Sequence, residues 1–195
     1  MTNEEIIWNY LYNKLKNPYG TAAMMGNLFA ESSLNPICAN GVKKLGLTSK
    51  EYTAVVDAGK NENFITDGIA YGIAQWCYKT RKQGLLLRSR TRNKSIGDIY
   101  LQLDYLWEEL QSYKTVINAL YDAKDIRKAS DIVLLKYEKP NNKSEAVKIK
   151  RANFGQKYFN KYAAETIARN ETKPIIILKR ENAEELYNKL KRTMQ

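Results

Sequence analysis

A chain of 195 residues without a single histidine has few ways to break a bond by acid–base chemistry. Serine–histidine and cysteine–histidine nucleophilic pairs are excluded, and so are histidine-ligated zinc sites. Hydrolysis would have to run on carboxylates. One carboxylate is set apart by its surroundings. In MMGNLFAESSLNP, residues 24–36, Glu31 follows Met24, Met25, Leu28, Phe29 and Ala30 and is closed off by Ser32, Ser33, Asn35 and Pro36. The pattern predicts a helix whose last turn presents an acid to a partly dry cleft. A carboxylic acid so placed could protonate the leaving oxygen of a glycosidic bond while positive charge develops on the sugar ring. A merely solvated acid at a helix end is the plain alternative.

A second stretch, DGIAYGIAQW at 67–76, is rich in small residues and poor in charge. It reads as irregular or extended chain lining something before a helix begins near Cys77. Asp67 opens it, immediately before the glycine-rich part, and no other acid lies so near either stretch. An inverting hydrolase needs a second carboxylate about 6.5–9.5 Å from the acid to activate water on the opposite sugar face. Asp67 is the candidate, and a turn or cap aspartate is the competing reading.

The elements that must position these residues are mainly helical. Thr2 and Glu5 form a capping box for a helix bearing Ile7, Tyr10, Leu11 and Leu15, which Asn17-Pro18-Tyr19-Gly20 should end. A second helix should run from about Thr21 to Ser32. Thr48 and Glu51 repeat the box ahead of a short helix stopped by Gly59. Ser95 with Asp98 should cap a helix with Ile99, Leu103, Leu106, Trp107 and Leu110 on its core face. Trp76 and Trp107 both read as core. Further helices are expected near 115–123, 125–138 and 144–164, the last with Ile149, Ala152, Phe159 and Tyr162 in phase. Residues 1–164 form the expected main domain. From Glu165 to Gln195 the pattern changes to an apolar run, Ile175 to Leu178, then an amphipathic helix, a strand-helix appendage of unknown role.

Lys and Arg outnumber Asp and Glu by 32 to 21, a net charge of +11. Such a balance suits a polyanion: nucleic acid, an anionic membrane surface or a wall rich in teichoic acid, although coding bias toward Lys, Asn, Ile and Tyr could also produce it. Nucleic acid has no support beyond charge, because no helix gathers its basic residues with base-reading side chains. Cys38 and Cys77 are too few for a disulfide scaffold and match no zinc spacing, so a reduced compartment is the default. No apolar run reaches membrane-spanning length, and MTNEEIIWNY does not resemble a signal peptide.

GNLFAESSLNP resembles the catalytic Glu-Ser stretch of goose-type lysozymes and soluble lytic transglycosylases, and YGIAQW resembles their Gly-Leu-Met-Gln motif. KKLGLTSKEYTAVVDAG, FITDGIAYGIAQW, TRKQGLL and LQLDYLWEEL resemble consecutive blocks of the phage tail lysozyme family of Gram-positive phages and prophages. The likeness runs in order over about residues 3–163. It departs at Thr66, Ala70 and Cys77, where the family often has His, Gly and Thr.

The resemblance implies a mainly α, lysozyme-like domain acting on bacterial peptidoglycan without metal or organic cofactor. It makes Glu31 the general acid and Asp67 a candidate base. Gln75 would contact the sugar, with Tyr71, Gly72 and the Ile73 backbone shaping the floor. Tyr137, in VLLKYEKP, would line the cleft or pack in the core. The implied activity is cleavage of the bond between N-acetylmuramic acid and N-acetylglucosamine, by a hydrolysing muramidase or by a lytic transglycosylase. A non-catalytic wall-binding tail module of the same fold is the alternative. The implied partners are the wall and phage tail or wall-binding modules. The implied location is a virion tail, or the host cytoplasm before release.

Overall fold

The computed structural model describes residues 1–166. Met1–Phe159 forms one compact unit, and the chain from Asn160 falls in a second. Of the second, residues 160–166 are helical, with Thr166 Oγ1 donating to the Tyr162 carbonyl. The expected strand-helix appendage lies outside the described residues except for Glu165 and Thr166.

The first unit is built of helices. Helix α1 (Asn3–Leu15) starts at the Thr2–Glu5 capping box and ends where Lys16 turns left-handed. Helix α2 (Pro18–Ser32) follows at once. Asn17 is its N-cap, accepting from the N–H groups of Tyr19 and Gly20, and Pro18 occupies the first turn. The stretch expected to close α1 therefore opens α2, because a proline that cannot continue one helix is well suited to begin the next. Asn17 Nδ2 also donates to the carbonyls of Tyr121 and Ala123, anchoring the start of α2 to the end of a later helix.

Helix α2 is the centre of the unit. Ala22, Ala23, Met24, Met25, Asn27 and Leu28 are all fully buried, the mark of a helix surrounded on every side. It packs against α1, α6 (Lys114–Tyr121) and α7 (Ile126–Val133). The final described helix, α8 over 145–166, meets it backbone to backbone. A Cβ on Gly26 would stand 2.4 Å from the Arg151 carbonyl oxygen, and one on Gly155 would stand 2.7 Å from that of Ala22. Only glycine at both positions allows this approach. Along α8 the buried residues of the first unit are Arg151, Ala152, Gly155 and Tyr158, whereas Ile149, expected on the core face, is 44% exposed.

Between α2 and α4 (Lys79–Arg92) the chain is mostly irregular. It holds a 3-10 turn at Val42–Leu45 and α3 (Ser49–Asp57) behind its Thr48–Glu51 capping box. It also holds two short antiparallel strands, β1 (Ala39–Asn40) and β2 (Ala70–Tyr71), paired Ala39 to Tyr71 and Asn40 to Ala70. Helix α5 (Ile99–Ser112) is capped by Asp98, which accepts from Leu101 N–H. Ser95, expected to share the cap, donates instead to Asp57 Oδ2. Trp76 is core, as expected, but Trp107 is only half-buried, edge-on to Tyr121 with the Lys14 ammonium over its ring. Helix α7 runs on into a π-helical turn, Leu134–Glu138, closed by a left-handed Lys139. No helix among the described residues is long and apolar enough to cross a membrane. The fold is mainly α.

Candidate active site

Glu31 lies in the last turn of α2, which Ser33 ends in the left-handed conformation. Its neighbour Ser32 is buried, donating to the Leu28 carbonyl and, at 2.9 Å, to the carbonyl of Ile73. That bond ties the end of α2 to the turn after β2. The turn is fixed from below by Gln102, which is fully buried on α5. Its Oε1 accepts from Ile73 N–H, and its Nε2 donates to the carbonyls of Pro36 and Ile96. Gly72 sits directly over it at φ +79°, where a Cβ would come 2.7 Å from Gln102 Oε1. Both backbone groups of Ile73 are thus engaged, so this residue serves the floor by holding it in place.

Gln75 closes the turn at φ +46°, a conformation that a non-glycine residue adopts only when its surroundings enforce it. Its Nε2 donates to the carbonyls of Gly72 and Cys38. Its Oε1 is buried and has no hydrogen-bond partner among the described residues. An acceptor left in this state is costly unless something fills it. The residue is 8% exposed, so the amide is held rigid with one acceptor unused.

The acid itself is not isolated. Arg151, from α8, donates from Nη2 to Glu31 Oε1 at 2.5 Å, and its Nη1 reaches the carbonyl and Oδ1 of Asn27. Asn27 is held in turn by the hydroxyl of Ser130. A second charged group is centred on Glu109, which accepts from Arg81 through both oxygens, from Trp76 Nε1 at 2.6 Å and from the Tyr137 hydroxyl. Glu138 follows Tyr137 in the π turn. Its Oε1 is sealed from solvent without a hydrogen-bond partner among the described residues, and burial, followed by the charge of Glu31, pushes the carboxyl up to about 8. Among the described residues no group of His, Cys, Asp and Glu could hold a metal ion.

Three other residues singled out in the sequence are placed in the interior. Asp67 accepts from Lys82 Nζ at 2.5 Å, from the Tyr52 hydroxyl at 2.7 Å, from Ile69 N–H at 2.9 Å and from Asn61. Lys82 is completely buried. Burial raises Asp67, but the bonds from Lys82, Tyr52 and Ile69 and the Lys82 charge outweigh it and hold the carboxyl below its usual range. Tyr71 is fully buried, its hydroxyl against Thr53 Oγ1 and its ring against Tyr52 and Phe64, so its side chain supports the floor from the core. Tyr137 is also core: its hydroxyl joins Arg81 to Glu109, and Arg81 lies over its ring.

Sequence reading passed over Arg81, Glu109, Glu138 and Arg151. Glu138 was adjacent to a residue already noted in VLLKYEKP, and Arg151 stands in phase with Ala152, Gly155 and Tyr158 on the buried stripe of α8. A basic residue on an apolar stripe was the available signal.

None of the curated proteins matches the chain. The family described as phage tail lysozyme matches residues 2–162, and the chain therefore belongs to the phage tail lysozyme family.

Proposed function

We propose that this protein is a peptidoglycan glycosidase of a phage or prophage, cleaving the bond between N-acetylmuramic acid and N-acetylglucosamine with Glu31 as general acid. The observation that carries this reading is the coupling of two motifs. Ser32, next to Glu31, bonds Ile73 in the turn that presents Gln75, whose buried Oε1 has no hydrogen-bond partner among the described residues. A turn of the amide that brings this oxygen to the surface would let a sugar hydroxyl or amide N–H satisfy it, beside the motif that carries the acid. Family membership supplies the substrate class.

How the bond is replaced depends on Asp67. As a hydrolase, the protein needs a carboxylate to activate water. A second reading, lytic transglycosylation, is favoured by the engagement of Asp67 with Lys82, Tyr52, Ile69 and Asn61, which leaves its carboxylate little free capacity. In that reaction the muramic acid's own 6-hydroxyl attacks and the substrate supplies the nucleophile. Mass spectrometry of digested peptidoglycan tests both: reducing ends carrying water support hydrolysis, 1,6-anhydromuramic ends support transglycosylation, and intact glycan strands refute the glycosidase reading.

A further inference from the structure

Helix α5 carries polar side chains where a helix facing the core would carry apolar ones. Gln102, Tyr105 and Glu109 follow one another at spacings of three and four, so they share one face and span about 10 Å of the helix axis. Gln102 and Tyr105 are buried, and Glu109 is largely shielded. All three address the same short stretch, residues 72–76. Gln102 Oε1 accepts from Ile73 N–H at 2.9 Å. The Tyr105 ring lies 5.1 Å from that of Trp76, and Glu109 Oε2 accepts from Trp76 Nε1 at 2.6 Å.

That stretch needs holding. Tyr71 and Trp76 exchange both of their backbone bonds, so Gly72, Ile73, Ala74 and Gln75 form a loop between them. Gln75 N–H reaches the Gly72 carbonyl at 3.2 Å, with Gln75 in the left-handed conformation. Relaxation to an ordinary φ would relieve the strain and carry its side chain elsewhere. Ile73 is the joint with the acid: Gln102 on α5 holds its N–H, and Ser32, beside Glu31 on α2, holds its carbonyl.

We propose that the α5 face of Gln102, Tyr105 and Glu109 is the mount that keeps the Gly72–Gln75 loop in register with the acid-bearing end of α2. The inference rests on the roles given above to Glu31 and Gln75. Gln102 fixes the start of the loop and Glu109 its far end, through Trp76. The three act on the reaction only through the loop, so they are positioning residues. Polar side chains are required because the Ile73 N–H and the Trp76 indole N–H are buried donors that an apolar face would leave unpaired.

Hydrogen exchange of the nitrogen-15-labelled protein, followed by NMR, reads the mount without relying on activity. In the wild type the backbone N–H groups of Ile73 and Gln75 should exchange slowly. Gln102→Met should speed both at least about 10-fold while the N–H groups of α1 and α6 keep their rates. At a temperature where circular dichroism shows it folded, its kcat on soluble glycan fragments should fall at least about 10-fold, because small misplacements are costly in catalysis. Gln102→Glu keeps an acceptor for Ile73 N–H and should recover part of both effects. Val116→Ala, at a fully buried position on α6, should lower stability yet leave kcat and the Ile73 and Gln75 exchange rates unchanged. A Gln102→Met protein that exchanges and turns over like the wild type overturns the inference, as does faster exchange spread evenly over the core. If Gln102→Met does not fold, Trp76→Phe, which removes only the indole bond to Glu109, must speed Gln75 exchange or the inference fails. Slow Ile73 and Gln75 exchange in a wild type that leaves glycan intact would refute the glycosidase reading and leave the mount standing.

Discussion

Arg151 Nη2 stands 2.5 Å from Glu31 Oε1, joining residues 120 positions apart through a guanidinium that also grips Asn27. The pair is largely shielded, with side-chain exposures of 9% and 20%, so solvent screens it little. Replacing Arg151 by Met strands the Glu31 charge and removes the bonds to Asn27. Unfolding in urea should show a loss of about 3 kcal/mol, the scale for breaking a buried ion pair. Arg151→Lys keeps the charge but not the fork that reaches two partners, and should fall between. An Arg151→Met protein as stable as the wild type would show that the pair holds nothing.

Glu31→Gln preserves size and shape but has no proton to give. Circular dichroism should be unchanged while turbidity clearing of wall suspensions falls by at least about 100-fold, the lower range for loss of a general acid. Activity within a few-fold of the wild type would remove Glu31 from the chemistry.

Glu138 also leaves a signature in stability. Burial pushes its carboxyl up to about 8 in the folded chain, from an ordinary value of 4.5. Between those values the folded state binds more protons than the unfolded state, so this group's stabilising contribution is complete below about pH 4.5 and lost as pH rises through about 8. Glu138→Gln removes the dependence. Thermal melts should show the wild type losing ground to the mutant from pH 5 to pH 9, and parallel curves across that range would contradict the burial argument.

Local chemistry is what the sequence displayed best. The capping boxes of α1 and α3 were legible because each is complete within four residues. Asn17-Pro18 does follow the end of α1, but α2 begins there and not at Thr21, because Asn17 caps it and Pro18 suits its first turn. Ile149, expected on the core face, is exposed, whereas Arg151 is buried: helical phase alone cannot tell which side of α8 meets α2, and the Gly26–Gly155 approach sets it. Within the site, Glu31 and Gln75 stood out as motifs. The charges around them did not, since Glu109 with Tyr137 and Glu31 with Arg151 pair across 28 and 120 positions.

Gln75 offers a measurement of binding separate from chemistry. Truncation to Ala removes the unpartnered Oε1 together with the two bonds from Nε2. If a sugar donor fills that oxygen, KM for soluble glycan should rise about 10-fold, the equivalent of one hydrogen bond, with kcat changed less. An unchanged KM would mean that the amide serves the turn alone.

Asp67 is the residue on which product type turns. Its bonds to Lys82, Tyr52 and Ile69 place it in a structural network, and Lys82 pairs with no other carboxylate among the described residues. Its folded carboxyl lies below 3.8, so its contribution is present above that value and is lost as pH falls through the folded one. Asp67→Asn leaves a buried ammonium uncompensated and should cost about 3 kcal/mol in urea unfolding. Adding Lys82→Met to Asp67→Asn should restore part of that stability, a non-additivity that marks direct coupling. The double mutant then separates structure from chemistry. If Asp67 activates water, products carrying water should fall at least about 100-fold even though the fold is restored. If the muramic 6-hydroxyl is the nucleophile, anhydro products should recover along with stability. Recovery of water-bearing products in the double mutant would remove Asp67 as the base and leave Glu31 acting alone as both acid and base.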